Sequence, residues 1–205
     1  VTVTYPLTPP ASPAPVRAHV EPVETVAQSR SPFSFRRQYQ IHQGGHWKLS
    51  IELPVLVEAE WREWTAFITA LQGVAGTFLY GDPLRAVAKG AASGSPAVSG
   101  AGNAGLVLPT AGWTASTLVL KAGDMIQLGT GADAHLHMIT QDATSDGTGA
   151  ASLDIWPRLR TSPADGQLII VDSPVGVWQL AANANGWDYE APRHGRLSIN
   201  CIEAL

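Results

Sequence analysis

His135 and His137 flank Leu136 in a segment whose alternation predicts a strand, so both imidazoles point to one face, and Asp133 joins that face two residues earlier. His-x-His on a strand is a spacing found at zinc sites, but structural zinc usually takes four ligands. No further His-Glu pairing motif and no second cysteine completes a set, so the pair is read as ordinary strand histidines and no metal residue is assigned. Glu58, Glu60 and Glu63 fit the first turn and the solvent face of a helix better than a general acid-base pair. Serine, histidine and aspartate all occur, yet no Gly-x-Ser-x-Gly elbow offers a nucleophile. Gly100 to Gly105 (GAGNAG) lacks both the preceding buried strand and the following helix of a dinucleotide loop. Trp113, Trp156, Trp178 and Trp187, with Tyr189, have the chemistry of a sugar-stacking surface, although aromatics also dominate cores and interfaces, and packing is the expectation for this set. Catalytic, cofactor-binding and metal residues are therefore none, no cofactor is expected, and the chain is expected not to be an enzyme.

The elements that would position these residues are β-rich. In 205 residues with 45% hydrophobic and only 15% charged residues, charge falls below the roughly 25% usual for soluble domains, a surface suited to an assembly. The formal net charge of -4 lacks the basic excess of a phosphate-backbone binder, so no sequence-specific nucleic-acid binding is expected. The lone Cys201 alternates with Leu197 and Ile199 and is expected to be buried. Nothing near Val1 reads as a signal peptide, and no stretch approaches the roughly 20 apolar residues of a membrane span, so the chain is expected to stay soluble in the cytoplasm where it is made.

Residues 1–30 read as an extended, proline-rich arm, with TPPASPAP at Thr8 to Pro15, long enough to lie across a neighbouring subunit or to strap its own domain. Phe33 to His42 and Trp47 to Leu53 both alternate, and Gly44-Gly45 between them predicts a hairpin. Residues 58–72 are the one convincing helix, with Trp61, Trp64, Ile68 and Leu71 on a stripe that should lie on a sheet. Lys89 to Gly105 is rich in glycine and small residues and reads as a loop or loose edge. Short strands then recur at Leu106–Leu108, Leu118–Leu120, Met125–Leu128, His135–Ile139, Ala151–Ile155 and Leu168–Val171, with turn chemistry between them that suits a small barrel or sandwich. The fold class expected is mainly β. Residues 31–83 and 172–205 would make a β-sandwich or split barrel with one flanking helix, and residues 84–171 an inserted small β-barrel or sandwich.

Several strings, taken in order, resemble a family of distal or minor tail proteins from the tail tip of long-tailed, siphovirus-like bacteriophages and prophages. They are Ser31-Pro32-Phe33, the strand Trp47 to Pro54, the helix Glu58 to Leu71 with Gly76-Thr77-Phe78-Leu79-Tyr80-Gly81-Asp82-Pro83, and Leu120-Lys121-Ala122-Gly123-Asp124. Asp146-Gly147-Thr148-Gly149, Ile155-Trp156-Pro157-Arg158-Leu159-Arg160 and Ser198 to Leu205 continue the series, which covers most of the chain after Ser31. The resemblance implies a tail-tube-like β domain, a homo-hexameric ring around the DNA channel, and partners in the tail tube and the hub or baseplate. It also implies a place in the virion after assembly in the host cytoplasm. The chain departs from the family in being short, with its second domain inserted. A carbohydrate-binding β module recognising a bacterial surface glycan is the alternative, and a metal-dependent hydrolase using His135 and His137 is a third.

Overall fold

The computed structural model describes residues 3–204 apart from 191–193, and the side chains of residues 189, 190 and 194 lie outside the description as well. The chain opens with β1 (Arg17–Val23), β2 (Val26–Arg30), β3 (Arg37–Ile41) and β4 (His46–Glu52). Helix α1 (Glu58–Ala70) and β5 (Thr77–Tyr80) follow. The middle holds β6 (Gly94–Val98), β7 (Gly105–Trp113), β8 (Leu118–Leu120), β9 (Met125–Leu128), β10 (His135–Ile139), β11 (Ala143–Thr144), β12 (Ala151–Leu159) and β13 (Ile169–Ile170). The chain ends through β14 (Gly176–Leu180), β15 (Asp188–Glu190), β16 (His194–Arg196) and β17 (Ser198–Glu203). The protein is mainly β with one helix, as the alternation predicts.

The first sheet has five strands in the order β1-β4-β17-β14-β5. Period-two alternation puts Trp47, Leu49 and Ile51 of β4 on one face with Ile199 and Cys201 of β17, all buried, while Lys48 and Asn200 point outward. Helix α1 covers that face with Trp64, Phe67 and Ile68, and Phe67 meets Phe78 of β5 edge to face at 5.5 Å. Each such buried side chain contributes about 1.5–3 kcal/mol. The helix begins where Glu60 accepts a hydrogen bond from the Val57 amide at 3.2 Å, and Glu58 pairs with Arg62 at 2.8 Å one turn on. It ends at Gln72, which adopts the left-handed conformation (φ 52°).

β5 and β14 pair antiparallel, Tyr80 opposite Gly176, so the chain leaves the first sheet at one strand and returns on the next. Between them a six-stranded sheet, β13-β9-β10-β12-β7-β6, curls until its ends nearly meet. The Val98 amide donates to the Gln167 carbonyl and the Gly166 amide to the Val98 carbonyl, both at 2.9 Å, across the remaining gap. Leu108, Leu120, Ile126, Ile139, Leu153 and Ile155 fill its interior. Buried Asp124 is satisfied by the amides of Lys89, Gly90 and Lys121 at 2.8–3.1 Å and serves as a turn staple.

The strand pairing bears on three expectations. Of the two roles left open for residues 1–30, the structure shows contacts within the chain: β1 pairs with β4 over seven residues, and β2 pairs with β3 over five. The proline-rich part is a strap on its own domain. Tyr5 Oη donates to the Ala70 carbonyl at 2.6 Å, Leu7 exchanges bonds with Thr77 and Leu79 at 2.8 and 2.9 Å, and Trp64 Nε1 donates to the Ser12 carbonyl at 3.3 Å. Secondly, β3 and β4 do not form a hairpin about Gly44-Gly45, because each finds a partner earlier in the chain. Thirdly, of the two readings of the glycine-rich stretch the structure shows the edge: it contains β6, the last strand of the second sheet, whose Pro96 is tolerated because β6 has only β7 as a ladder partner.

Candidate assembly interface

The pairings Val23 with His46 and Val26 with Ile41 make β1-β2 and β3-β4 the two legs of one long ribbon. Two residues, Glu24 and Thr25, intervene on one leg and four, His42 to Gly45, on the other, so the ribbon is offset at this point, held by a bond from the His42 amide to the Thr25 carbonyl at 2.8 Å. Gly44 sits close against Thr25: a Cβ there would lie 2.8 Å from Thr25 Oγ1, so the hydroxyl would have to turn away. Below the offset the ribbon belongs to the first sheet. Above it, among the described residues, β2 and β3 form a two-stranded sheet with no third strand, and all ten of their residues are exposed.

The tip is ordered by local bonds. Ser31 Oγ accepts from the amides of Phe33 and Ser34 at 3.3 Å, and the Ser31 amide donates to the Arg36 carbonyl at 2.9 Å. Arg30 lies 4.5 Å over the Phe35 ring. Register puts Val26 beside Ile41, Gln28 beside Tyr39 and Arg30 beside Arg37 on one face of the ribbon. Phe33 is 95% exposed, Ile41 75%, Phe35 65% and Tyr39 61%, a density of bare apolar and aromatic groups of the kind that interaction sites carry. Residues 25–45 carry three arginines and no carboxylate, so the remainder of the chain has 13 − 3 = 10 Lys and Arg against 17 Asp and Glu, a balance of -7.

The root of the ribbon is fixed where the two sheets meet. Trp47 and Trp156 pack edge to face at 4.4 Å, Trp47 Nε1 donates to the Leu136 carbonyl at 3.0 Å, and Trp156 Nε1 donates to Glu24 in the offset. Arg160 forms a fork with Glu203 at 3.2 Å and also donates to the Gly45 carbonyl, while Glu203 accepts the Trp47 amide at 3.1 Å. Thus β12, β17, β4 and the offset share one network, buried at Trp47 and Glu203 and open to solvent at Glu24 and Arg160, that ties the root of the ribbon to both sheets.

The sequence-flagged aromatics do not converge. Trp113 is buried and donates to Thr110 Oγ1 at 2.8 Å, Trp178 is buried and donates to the Tyr80 carbonyl at 2.8 Å, and Trp156 is taken by Trp47. Trp187 is half-exposed and stands edge-on to Trp61 at 6.2 Å, and the side chain of Tyr189 lies outside the description. His135, His137 and Asp133 border one cavity, but among the described residues no group of three or more His, Cys, Asp or Glu side chains is placed to hold a metal. His137 is buried, which pushes its pKa down to about 4 although its ring contact with the Pro157 carbonyl at 2.7 Å raises it. Burial likewise pushes the Cys201 thiol up to about 12. Sequence reasoning missed the ribbon; its available signals were the carboxylate-free run from Thr25 to Gly45 and the apolar alternation of Val26 and of Tyr39 with Ile41. No helix among the described residues is long and apolar enough to cross a membrane.

Comparison with models of known protein families finds no match, and none of the curated proteins compared matches the sequence.

Proposed function

We propose that this chain is a structural subunit of a phage tail tip, a distal-ring protein whose copies join head to tail around the DNA channel between the tail tube and the hub or baseplate. The observation that carries the reading is the bare ribbon of β2 and β3. A two-stranded ribbon is at best marginally stable alone in water, and this one presents apolar side chains and three arginines beyond the sheet that anchors it. A neighbour's surface would cover it, and the acidic balance of the rest of the chain supplies complementary charge for a second copy. A contact between the ribbon of one copy and a different surface of the next is heterologous, and such contacts make a ring when the rotation between copies closes and a filament when it does not. The resemblance of the ordered strings from Ser31 to Leu205 to distal tail proteins points the same way.

Replacing Phe33, Phe35, Tyr39 and Ile41 together by serine tests it, since none of them belongs to either core. The variant is expected to keep the circular-dichroism spectrum and to sediment as a monomer where the parent sediments as an oligomer. Equal association of both proteins would refute the reading.

A further inference from the structure

The solvent side of β6, β7 and the approach to β13 is a second bare surface. Val98, Leu108, Thr110 and Ile169 are buried in the barrel, so the residues that alternate with them face out. Register sets Ala97 beside Ala111, a bridge sets Leu168 beside Ala97, and Pro109 and Val107 continue the row along β7. Leu168, Pro109 and Val107 are exposed, and the two alanines are half-buried. No charged residue occurs from Gly90 to Leu120, a run that takes in β6, β7 and β8. An uncharged centre within a polar rim is the composition of an interface core. Here the rim is acidic. Asp154 is the register partner of Val107, Asp165 accepts the Gly100 amide at 2.7 Å just past β6, and exposed Asp172 stands opposite Val87 just past β13. Arg158 and Arg160 lie beyond the break in register that follows Asp154, and Arg160 is paired with Glu203.

We propose that this wall of the inserted barrel receives the ribbon of a neighbouring copy. The bare aromatics of β3 and the ribbon tip lie on the row from Leu168 through Ala111 to Val107, and Arg30, Arg36 and Arg37 meet the three aspartates. This contact presupposes the head-to-tail assembly proposed above and assigns the surface that accepts the ribbon. The two faces match in kind, apolar and cationic on one side, apolar and acidic on the other. The occupant is a second copy, because all ten residues of β2 and β3 are exposed and the ribbon does not cover the barrel of its own chain.

The test is photo-crosslinking of the full chain with Tyr39 replaced by p-benzoylphenylalanine, in a mixture of isotopically light and heavy protein so that bonds between copies are recognised by mass. Crosslinks between copies are expected to end within residues 94–113 or 161–172. Crosslinks between copies that end elsewhere, or an oligomer that gives none, would overturn the proposal and leave the head-to-tail reading standing, whereas a monomer by light scattering would sink both. L168R sets a cation against the ribbon's arginines and should raise the concentration of half-association at least about tenfold with the circular-dichroism spectrum unchanged. A folded L168R that associates as the parent does would refute the assignment.

Discussion

At the scale of single residues, His137 links the fold to pH. Its pKa is held at about 4 in the folded protein against 6.5 for the free side chain. The unfolded chain therefore takes up a proton that the folded chain refuses, and stability present above pH 6.5 is lost as pH falls toward about 4, by on the order of 3 kcal/mol over the whole window. Denaturant midpoints measured at about pH 7.5 and about pH 5 should drop accordingly, and H137Q should remove a large part of that drop. A second residue-scale prediction concerns Glu203, which is 5% exposed and answers both Arg160 and the Trp47 amide. E203A leaves a partly buried guanidinium and a buried amide without their acceptor, and should cost roughly 2–4 kcal/mol in urea unfolding. A loss below about 0.5 kcal/mol would mean that solvent already answers Arg160.

At the scale of elements, the strap and the ribbon should part company in experiment. Tyr5 and Leu7 pack on the first core, and Leu7 completes the outer edge of β5. Truncation before Val16 should therefore lower monomer stability by roughly 2–4 kcal/mol while leaving oligomer mass unchanged, read by melting and light scattering on the same sample. The opposite result, an intact melting curve with lost association, would return the proline-rich segment to the role of an intersubunit arm. How far these elements could be read beforehand depends on the range of the interactions that make them. Helix α1 and strands β4 and β17 were legible because Trp64, Ile68 and Leu71, or Leu49 and Ile51, repeat at a period that one face of one element dictates, and β9 and β10 because turn residues at Gly123-Asp124 and Gly129 to Gly131 bracket short apolar runs. Pairing of β1 with β4, and of β2 with β3, was not, because partners are chosen by contacts between legs rather than by the alternation of either leg, and Gly44-Gly45 has the same turn chemistry whether it closes a hairpin or offsets a ribbon. Cys201 was placed correctly by alternation alone, whereas the burial of the Arg158 Nε depends on folded packing that no spacing in Leu153 to Arg160 encodes.

For the whole molecule, two bodies of sheet share the Trp47, Trp156, Arg160 and Glu203 joint, with one ribbon projecting from it. For the proposed ring, cation on the ribbon and a balance of -7 elsewhere predict an association that depends on ionic strength as well as apolar burial, one that raised salt weakens without abolishing. The most direct measurement is the solution mass of the full chain by light scattering, with negative-stain images of the same peak. An oligomer several times the chain mass that appears as a ring with an open centre is the predicted result. A monomer at every concentration tried, with the ribbon's Tyr39 and Ile41 left bare, would contradict the account.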